Sequence, residues 1–237
     1  MTSGVLYIVS TPIGNLEDIS LRALRTLREV DLVVAESVRV TRKLLRHYQI
    51  ETPVIALSGR LIDKGHEKLI VKLKLGRSLA LVCDAGTPLI SDPGQRFARE
   101  ACKEHIDIKA IPGASAGLAG LTVSGLIFAG FVFLSSPPRT ILQRNQFFTS
   151  IVLETKPIII YESSRYLRNT LENLCKALES NRMIVIHFNL TCSSEKSFRG
   201  SPMQMAQQFQ SPERGQYVII IDSKQSSELK SPRLEPA

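Results

Sequence analysis

Apolar residues recur along this chain on two periods, a continuous or alternating run and a spacing of three to four, and the two keep exchanging places. Residues 5–10, VLYIVS, form an apolar run that predicts a buried strand, and Thr11, Pro12, Ile13, Gly14 and Asn15 predict the turn that ends it. Leu21, Leu24, Leu27 and Val30 then fall on one helical face, with Asp18 or Ser20 as the cap. Leu32–Ala35 predicts a second strand, 40–48 a short helix, 54–57 an extended segment, and 66–75 a helix that Gly76 terminates. A strand over 79–82, a helix over 95–105 and a strand over 108–111 follow. Beyond a small-residue stretch come a strand at 131–134, a helix at 140–153 and a strand at 158–161. An amphipathic helix at 165–178, a strand at 183–187, a helix at 203–209 and a strand at 217–221 complete the series. Strands alternating with helices predict an α/β fold of mostly parallel sheets covered by helices. The chain divides on this reading into 1–118, 119–223 and a polar tail, KQSSELKSPRLEPA, at 224–237.

Three of the predicted strands end in small-residue turns. One is STPIGN at 10–15; another is DAGTPLISDPG at 84–94, which closes the apolar run at 79–82; the third is IPGASA at 111–116, where Ser115 is placed to cap the next helix. In a parallel sheet the carboxyl ends of the strands share one edge, and ligands bind there. Convergence of three such turns points to a small-molecule site; one turn alone reads as an ordinary loop. Small residues let a ligand approach the backbone. Asp84 suits either a ligand ammonium or ribose hydroxyl, or a cap on its own turn.

Composition narrows the class. With 237 residues and 43% apolar content the chain can bury a core in one large domain or two small ones. Cys83, Cys102, Cys175 and Cys192 are widely separated, and His47, His66, His105 and His187 make no ligand-spaced pair, so neither a disulfide framework nor a metal site is expected. Reduced thiols are the simple reading and no secretory pattern is read at the N-terminus, so a cytoplasmic location is expected. No charge falls between Lys109 and Arg139, a stretch long enough for a membrane span, but Pro112, Gly113, Gly117, Gly120, Gly125 and Gly130 within it read as strand end, turn and small-residue helix, and no membrane contact is expected. The net charge is +8, with 17 basic and 13 acidic residues up to 115 and 13 and 9 beyond it. An acidic partner such as nucleic acid would therefore meet both halves.

The stretches LYIVSTPIGNLEDISLRALRTL, RVTRKLL, ALVCDAGTPLISDPG, IPGASA and IYESSRYL, with Arg199-Gly200, resemble the bacterial 16S ribosomal RNA ribose 2′-O-methyltransferases. That family lies within the tetrapyrrole-methylase-like superfamily of S-adenosylmethionine-dependent enzymes. The resemblance covers about 6–222 and implies two αβα domains with S-adenosylmethionine in a cleft between them, small-subunit ribosomal RNA or the small subunit as substrate, and a homodimer. It implies cofactor contacts from Pro12 and Gly14, from Asp84, Ala85, Gly86, Thr87 and Pro88, from Pro112, Gly113, Ser115 and Ala116, and from Tyr161. Other readings are a methyltransferase of another RNA or of a small acceptor such as a tetrapyrrole, or a weakly catalytic cofactor- or RNA-binding accessory factor.

Departures from the family pattern cluster in a few places. Glu36-Ser37-Val38-Arg39 stands where Glu-Asp-Thr-Arg is usual, and Leu57-Ser58-Gly59-Arg60 replaces His-Glu-His-Asn. Ala129-Gly130-Phe131 replaces Asp-Arg-Phe, Leu134 and Ser135 stand in a Phe-Glu-Gly-Phe stretch, and Phe188-Asn189-Leu190-Thr191 replaces Arg-Glu-Leu-Thr. A ribose hydroxyl needs its proton removed as it attacks, and the surviving acidic candidates are Glu36 and Glu162, with His187 a further one. The plain alternatives are carboxylates paired with nearby arginines and a histidine satisfied within its sheet. For RNA phosphates the candidates are Arg39, Arg42, Lys43 and Arg46, on one face of a helix, with Arg139 and Arg144 near the start of another; the plain alternative is a solvated helix face. Arg22, Arg25 and Arg28 read as surface.

Overall fold

Leu79–Val82 is buried along its whole length and forms β4, the middle strand of a five-stranded sheet. Its neighbours are β2 (Leu32–Ala35) and β1 (Val5–Val9), with β3 (Val54–Ala56) and β5 (Asp107–Ile111) at the edges, and every pair is parallel. Only a sheet covered on both faces makes such unbroken apolar strands. Successive side chains of β4 point to opposite faces. Leu79 and Leu81 pack with Leu73, Phe97 and Ala101, and Ala80 and Val82 pack with Ala23, Leu27 and Leu45. The first set belongs to α3 (Ile62–Lys74) and α4 (Gln95–Lys103); the second to α1 (Leu21–Glu29) and α2 (Val38–His47). Burying a side chain such as Phe97 or Leu27 contributes roughly 1.5–3 kcal/mol.

These coordinates are a computed structural model that describes residues 3–57, 62–90 and 94–224, without the side chains of 62–64. Ser58, Gly59 and Arg60, the second turn through Pro93, and the tail beyond Lys224 lie outside the described residues. The chain separates into two compact units, one ending at Ala116 and the other beginning at Gly117. Within the first, Ser20 caps α1 by accepting from Ala23 N–H. The expected apolar stripe of that helix is corrected at one position: Leu21, the first helical residue, is exposed, while Leu27 and Val30 are buried with Ala23 and Thr26, and Leu24 packs half-buried against them.

The second unit departs from expectation in its sheet. Its strands are β6 (Val132–Phe133), β7 (Ile158–Ser163), β8 (Ile184–Phe188), β9 (Lys196–Gly200) and β10 (Gln216–Ile221), in the order β6-β7-β10-β8-β9. Only β6 and β7 are parallel; the other three pairs are antiparallel. The expectation of a mostly parallel second sheet is therefore corrected. The cause is β9, a strand that the apolar pattern did not reveal. It folds back on β8 and reverses the chain, so β10 arrives running opposite to β7 and β8 and inserts between them. Helices α6 (Ile141–Leu153), α7 (Ser164–Ala177) and α8 (Pro202–Gln208) cover one face through Ile151, Leu167, Leu171, Leu174 and Met205. Ser201 and Gln204 cap α8 reciprocally.

The other face of that sheet carries α5 (Ala116–Val123), built from small residues. A Cβ on Gly120 would stand 3.1 Å from His187 Cδ2 and 3.2 Å from Val218 Cγ1, so this helix lies closer to the strands than a larger residue would allow. None of the helices among the described residues is long and apolar enough to cross a membrane.

Candidate functional site

The turns after β1, β4 and β5 meet at the carboxyl edge of the first sheet, because the three strands are adjacent and parallel. They are tied together rather than loosely juxtaposed. Thr11 and Gly86 exchange both backbone hydrogen bonds, at 2.9 and 3.1 Å. The Thr11 hydroxyl donates to Cys83 C=O at 3.2 Å. Ser10 Oγ donates to Thr87 Oγ1 at 3.2 Å, and Thr87 Oγ1 donates to Ala114 C=O at 3.2 Å, which links all three turns. Gly86 has φ +82°, a left-handed conformation that favours glycine, and a Cβ there would lie 3.3 Å from Ile13 Cγ2. Glu36, at the end of β2, accepts from Asp84 N–H at 3.1 Å and fixes the start of the second turn.

A depression of about 320 Å³ opens beside these turns. Pro12, Ile13, Gly14, Asp84 and Ala85 line it from the loops, and Val40, Lys43 and Leu44 from α2. Its walls are mainly apolar, and it carries charges of both signs. Of the expected cofactor residues, Pro12, Gly14, Asp84 and Ala85 line the depression; Gly86, Thr87 and Pro88 lie just behind it in the same turn; and Pro112, Gly113 and Ser115 form the third turn before Ala116 opens α5. The contribution of α2 was not read from the sequence, since Val40 and Lys43 reach the loops only once the helix packs beside them.

The chain matches the family model of the tetrapyrrole (corrin/porphyrin) methylases over residues 5–205. The chain belongs to this family. It is an S-adenosylmethionine-dependent methyltransferase family, so the resemblance read from the sequence holds. The chain is 43% identical to ribosomal RNA small subunit methyltransferase I of Halalkalibacterium halodurans, over 84% of this chain and 68% of that one. It is 38% identical to the protein of that name from Synechocystis, over 92% and 78%, and 36% identical to that from Thermotoga maritima, over 94% and 100%. Among solved structures, cobalt precorrin-4 methyltransferase superposes with a TM-score of 0.70 at 16% identity, over 92% of this chain and 94% of that one. Uroporphyrin-III C-methyltransferase of Thermus thermophilus, complexed with S-adenosylhomocysteine, superposes at 0.65 with 15% identity, over 92% and 97%. These two likenesses carry the tetrapyrrole-methylase fold.

The basic residues expected to meet RNA fall into two groups in this methylase. Arg39, Arg42, Lys43 and Arg46 are exposed along α2, and Arg46 Nε donates to Arg42 C=O at 3.3 Å. Arg139 and Arg144 lie in the second unit, around Glu162. The Glu162 side chain is fully buried at the end of β7. Its Oε1 accepts from Ser163 N–H at 2.9 Å and from Arg139 Nη1 at 3.4 Å, and its Oε2 accepts from Thr170 Oγ1 at 2.7 Å. Arg144 donates to Thr170 Oγ1 at 2.9 Å and to Pro138 C=O at 3.3 Å. Burial pushes the Arg144 guanidinium below its ordinary pKa, and the Glu162 charge opposes that shift.

Tyr161, one residue earlier, accepts from Gly117 N–H at 2.8 Å through its hydroxyl and so caps the start of α5. His187 is fully buried, with Nδ1 2.8 Å from Ser197 Oγ, while Nε2 has no partner among the described residues. Burial and the nearby Arg199 charge push its pKa down. The four cysteines are free, and the described residues contain no group of three potential metal ligands.

Proposed function

We propose that this protein transfers the methyl group of S-adenosylmethionine to a ribose 2′-hydroxyl of small-subunit ribosomal RNA. The observation that carries the proposal is the depression at the carboxyl edge of the first sheet, where the DAGTP turn meets TPIGN beside a basic helix. Its lining suits the cofactor: Ile13, Leu16 and Val40 offer apolar surface, and Asp84 and Lys43 offer opposite charges for an ammonium and a carboxylate. When bound, S-adenosylmethionine supplies an electrophilic methyl group on its sulfonium. The turns supply position, which matters because methyl transfer needs the acceptor oxygen held in line at about 3 Å. Pro12, Gly14, Asp84 and Ala85 would touch the cofactor, while Gly86, Thr87, Pro88, Pro112, Gly113, Ser115 and Ala116 hold the turns that present them. Removal of the hydroxyl proton, worth roughly 10²–10⁴-fold, falls to Glu36 in this reading. Arg39, Arg42 and Arg46 would take RNA phosphates, a sequence-independent contribution to affinity.

The names of the relatives favour ribosomal RNA over a tetrapyrrole acceptor, since the ribosomal RNA enzymes are 38–43% identical to this chain and the two solved tetrapyrrole enzymes 15–16%. We also infer a homodimer, supported by the exposed apolar residues Leu118, Val123 and Ile127 on and after α5, and a cytoplasmic location where ribosomal subunits are assembled. The test is transfer of labelled methyl from S-adenosylmethionine to undermethylated small subunits, followed by digestion and mass spectrometry of the nucleosides. Label on a ribose 2′-oxygen is the expected result. Cofactor binding with no label in RNA would refute the RNA substrate and leave the small-acceptor or accessory readings.

A further inference from the structure

Glu162 is a candidate base by residue type, yet its surroundings give it different work. A buried carboxylate is costly unless it is paired and fully hydrogen-bonded, and this one is. Both oxygens are engaged, by Arg139, Ser163 N–H and Thr170. A base for an incoming hydroxyl needs a lone pair facing the ligand; this side chain has no exposed surface. What Glu162 does present outward is Arg139. The Arg139 side chain is 47% exposed, its Nη1 is anchored on Glu162, and its guanidinium lies 3.8 Å from the centre of the Tyr166 ring. Stacking on one side and an ion pair on the other hold a normally mobile side chain in a single place.

The backbone beneath Arg139 is held as well. Arg144 donates to the carbonyl of Pro138, the residue just before Arg139, and to Thr170 Oγ1, whose own proton goes to Glu162. One buried carboxylate therefore fixes Arg139 twice, directly and through the chain Thr170, Arg144 and Pro138. Arg144 is half-buried over the Phe148 ring and is a brace rather than a contact. The two guanidinium groups outnumber the one carboxylate, so the cluster keeps a net positive charge, and the group it offers to solvent is a planar, fixed donor. Such a donor matches an oxyanion of a phosphodiester.

We propose that Glu162 is a positioning residue that orients Arg139 to grip one backbone phosphate of the RNA substrate. This rests on the RNA reading above and adds to it a phosphate contact in the second unit, with a named residue and the means by which it is held.

The test uses the full-length protein, salt-dependent binding to undermethylated small subunits, and steady-state transfer kinetics. Wild type, Arg139→Gln, Glu162→Gln and the double variant are compared, each first checked for an unchanged S-adenosylmethionine titration. Loss of one charge-assisted contact should weaken subunit binding roughly tenfold in Arg139→Gln. It should also reduce the salt slope of log affinity by about 1. Glu162→Gln should raise KM for the subunit by a similar factor with kcat at saturation and its pH profile unchanged, although this variant makes the protein more positive. The double variant should be no worse than Arg139→Gln, because Glu162 acts through Arg139. Where Glu162→Gln folds poorly, Arg139→Gln, at a side chain 47% exposed, carries the test through its salt slope. A hundredfold fall in kcat with a flattened pH profile in Glu162→Gln would make it a base and overturn the proposal. Unchanged or tighter binding in Glu162→Gln, or an unchanged salt slope in Arg139→Gln, would overturn it too. Wild-type protein that shows no salt-sensitive binding would instead overturn the RNA reading itself, and the phosphate contact with it.

Discussion

The two units use the same materials, five strands and covering helices, and arrange their chemistry in opposite ways. In the first, every strand runs the same direction, so the turns after β1, β4 and β5 are delivered to one edge and tie to each other through Thr11, Gly86, Ser10 and Thr87. Backbone and small side chains make that site. In the second, β9 reverses the chain, β10 inserts against the direction of its neighbours, and the polar groups are organised by long side chains around the buried Glu162. A parallel sheet collects loops by its topology; a mixed sheet has to place its polar groups one side chain at a time.

This contrast can be broken at both ends. The largest effect is expected in the cores. Leu171→Ala, at a position with no exposed surface in α7, should lower stability by about 3 kcal/mol, and Leu27→Ala in α1 by a similar amount, read as denaturant midpoints. Equal costs would show that the two units are equally tightly packed and differ only in how their sites are built. Next is Gly120→Val, whose side chain would press on His187 and Val218; overpacking there should cost about 1–3 kcal/mol in thermal unfolding.

A smaller, pH-dependent effect belongs to His187. Its folded pKa lies below the ordinary value near 6.5, so as pH falls the unfolded chain takes up the proton first. The stability from keeping it neutral is complete above about 6.5 and declines as pH drops below that value. His187→Gln should flatten that decline by on the order of 1 kcal/mol in urea midpoints compared at pH 7.5 and lower. If both proteins lose stability in parallel, burial of His187 is not the cause. The smallest effect is at the surface of the first unit. Ser78 N–H, and after it Arg77, hold the Asp31 carboxyl below its ordinary value near 3.8, so its stabilisation is present above that value and lost as pH falls through the lowered one. Asp31→Asn should cost under about 1 kcal/mol at neutral pH, because the pair is solvent-screened.

The first unit was largely legible because a doubly covered parallel strand is an unbroken apolar run. Leu32–Ala35 and Leu79–Val82 were found to the residue, and Gly86 and Pro88 marked the turn after the second of them. The second unit concealed β9, since KSFRG is an edge strand with little buried surface and no apolar run. The turn before it also lacked a glycine signal: Asn189 and Thr191 take the positive φ values, 47° and 65°. Missing one strand inverted the direction assigned to the last. The partnership of Glu162 with Arg139 was hidden for another reason. The two residues are 23 apart, and only the packing of β7 against the loop before α6 brings them together.

The most direct measurement is calorimetric titration of S-adenosylmethionine into wild type, Asp84→Ala and Gly86→Val. The central claim is that the cofactor is held at the carboxyl edge of the first sheet by turns that depend on the left-handed Gly86. A valine there is strained at φ +82° and meets Ile13, so the turn cannot keep its form. Micromolar binding by wild type, weakened in Asp84→Ala and abolished in a folded Gly86→Val protein, is the result this account expects. Binding of equal affinity in all three would place the cofactor elsewhere and contradict it.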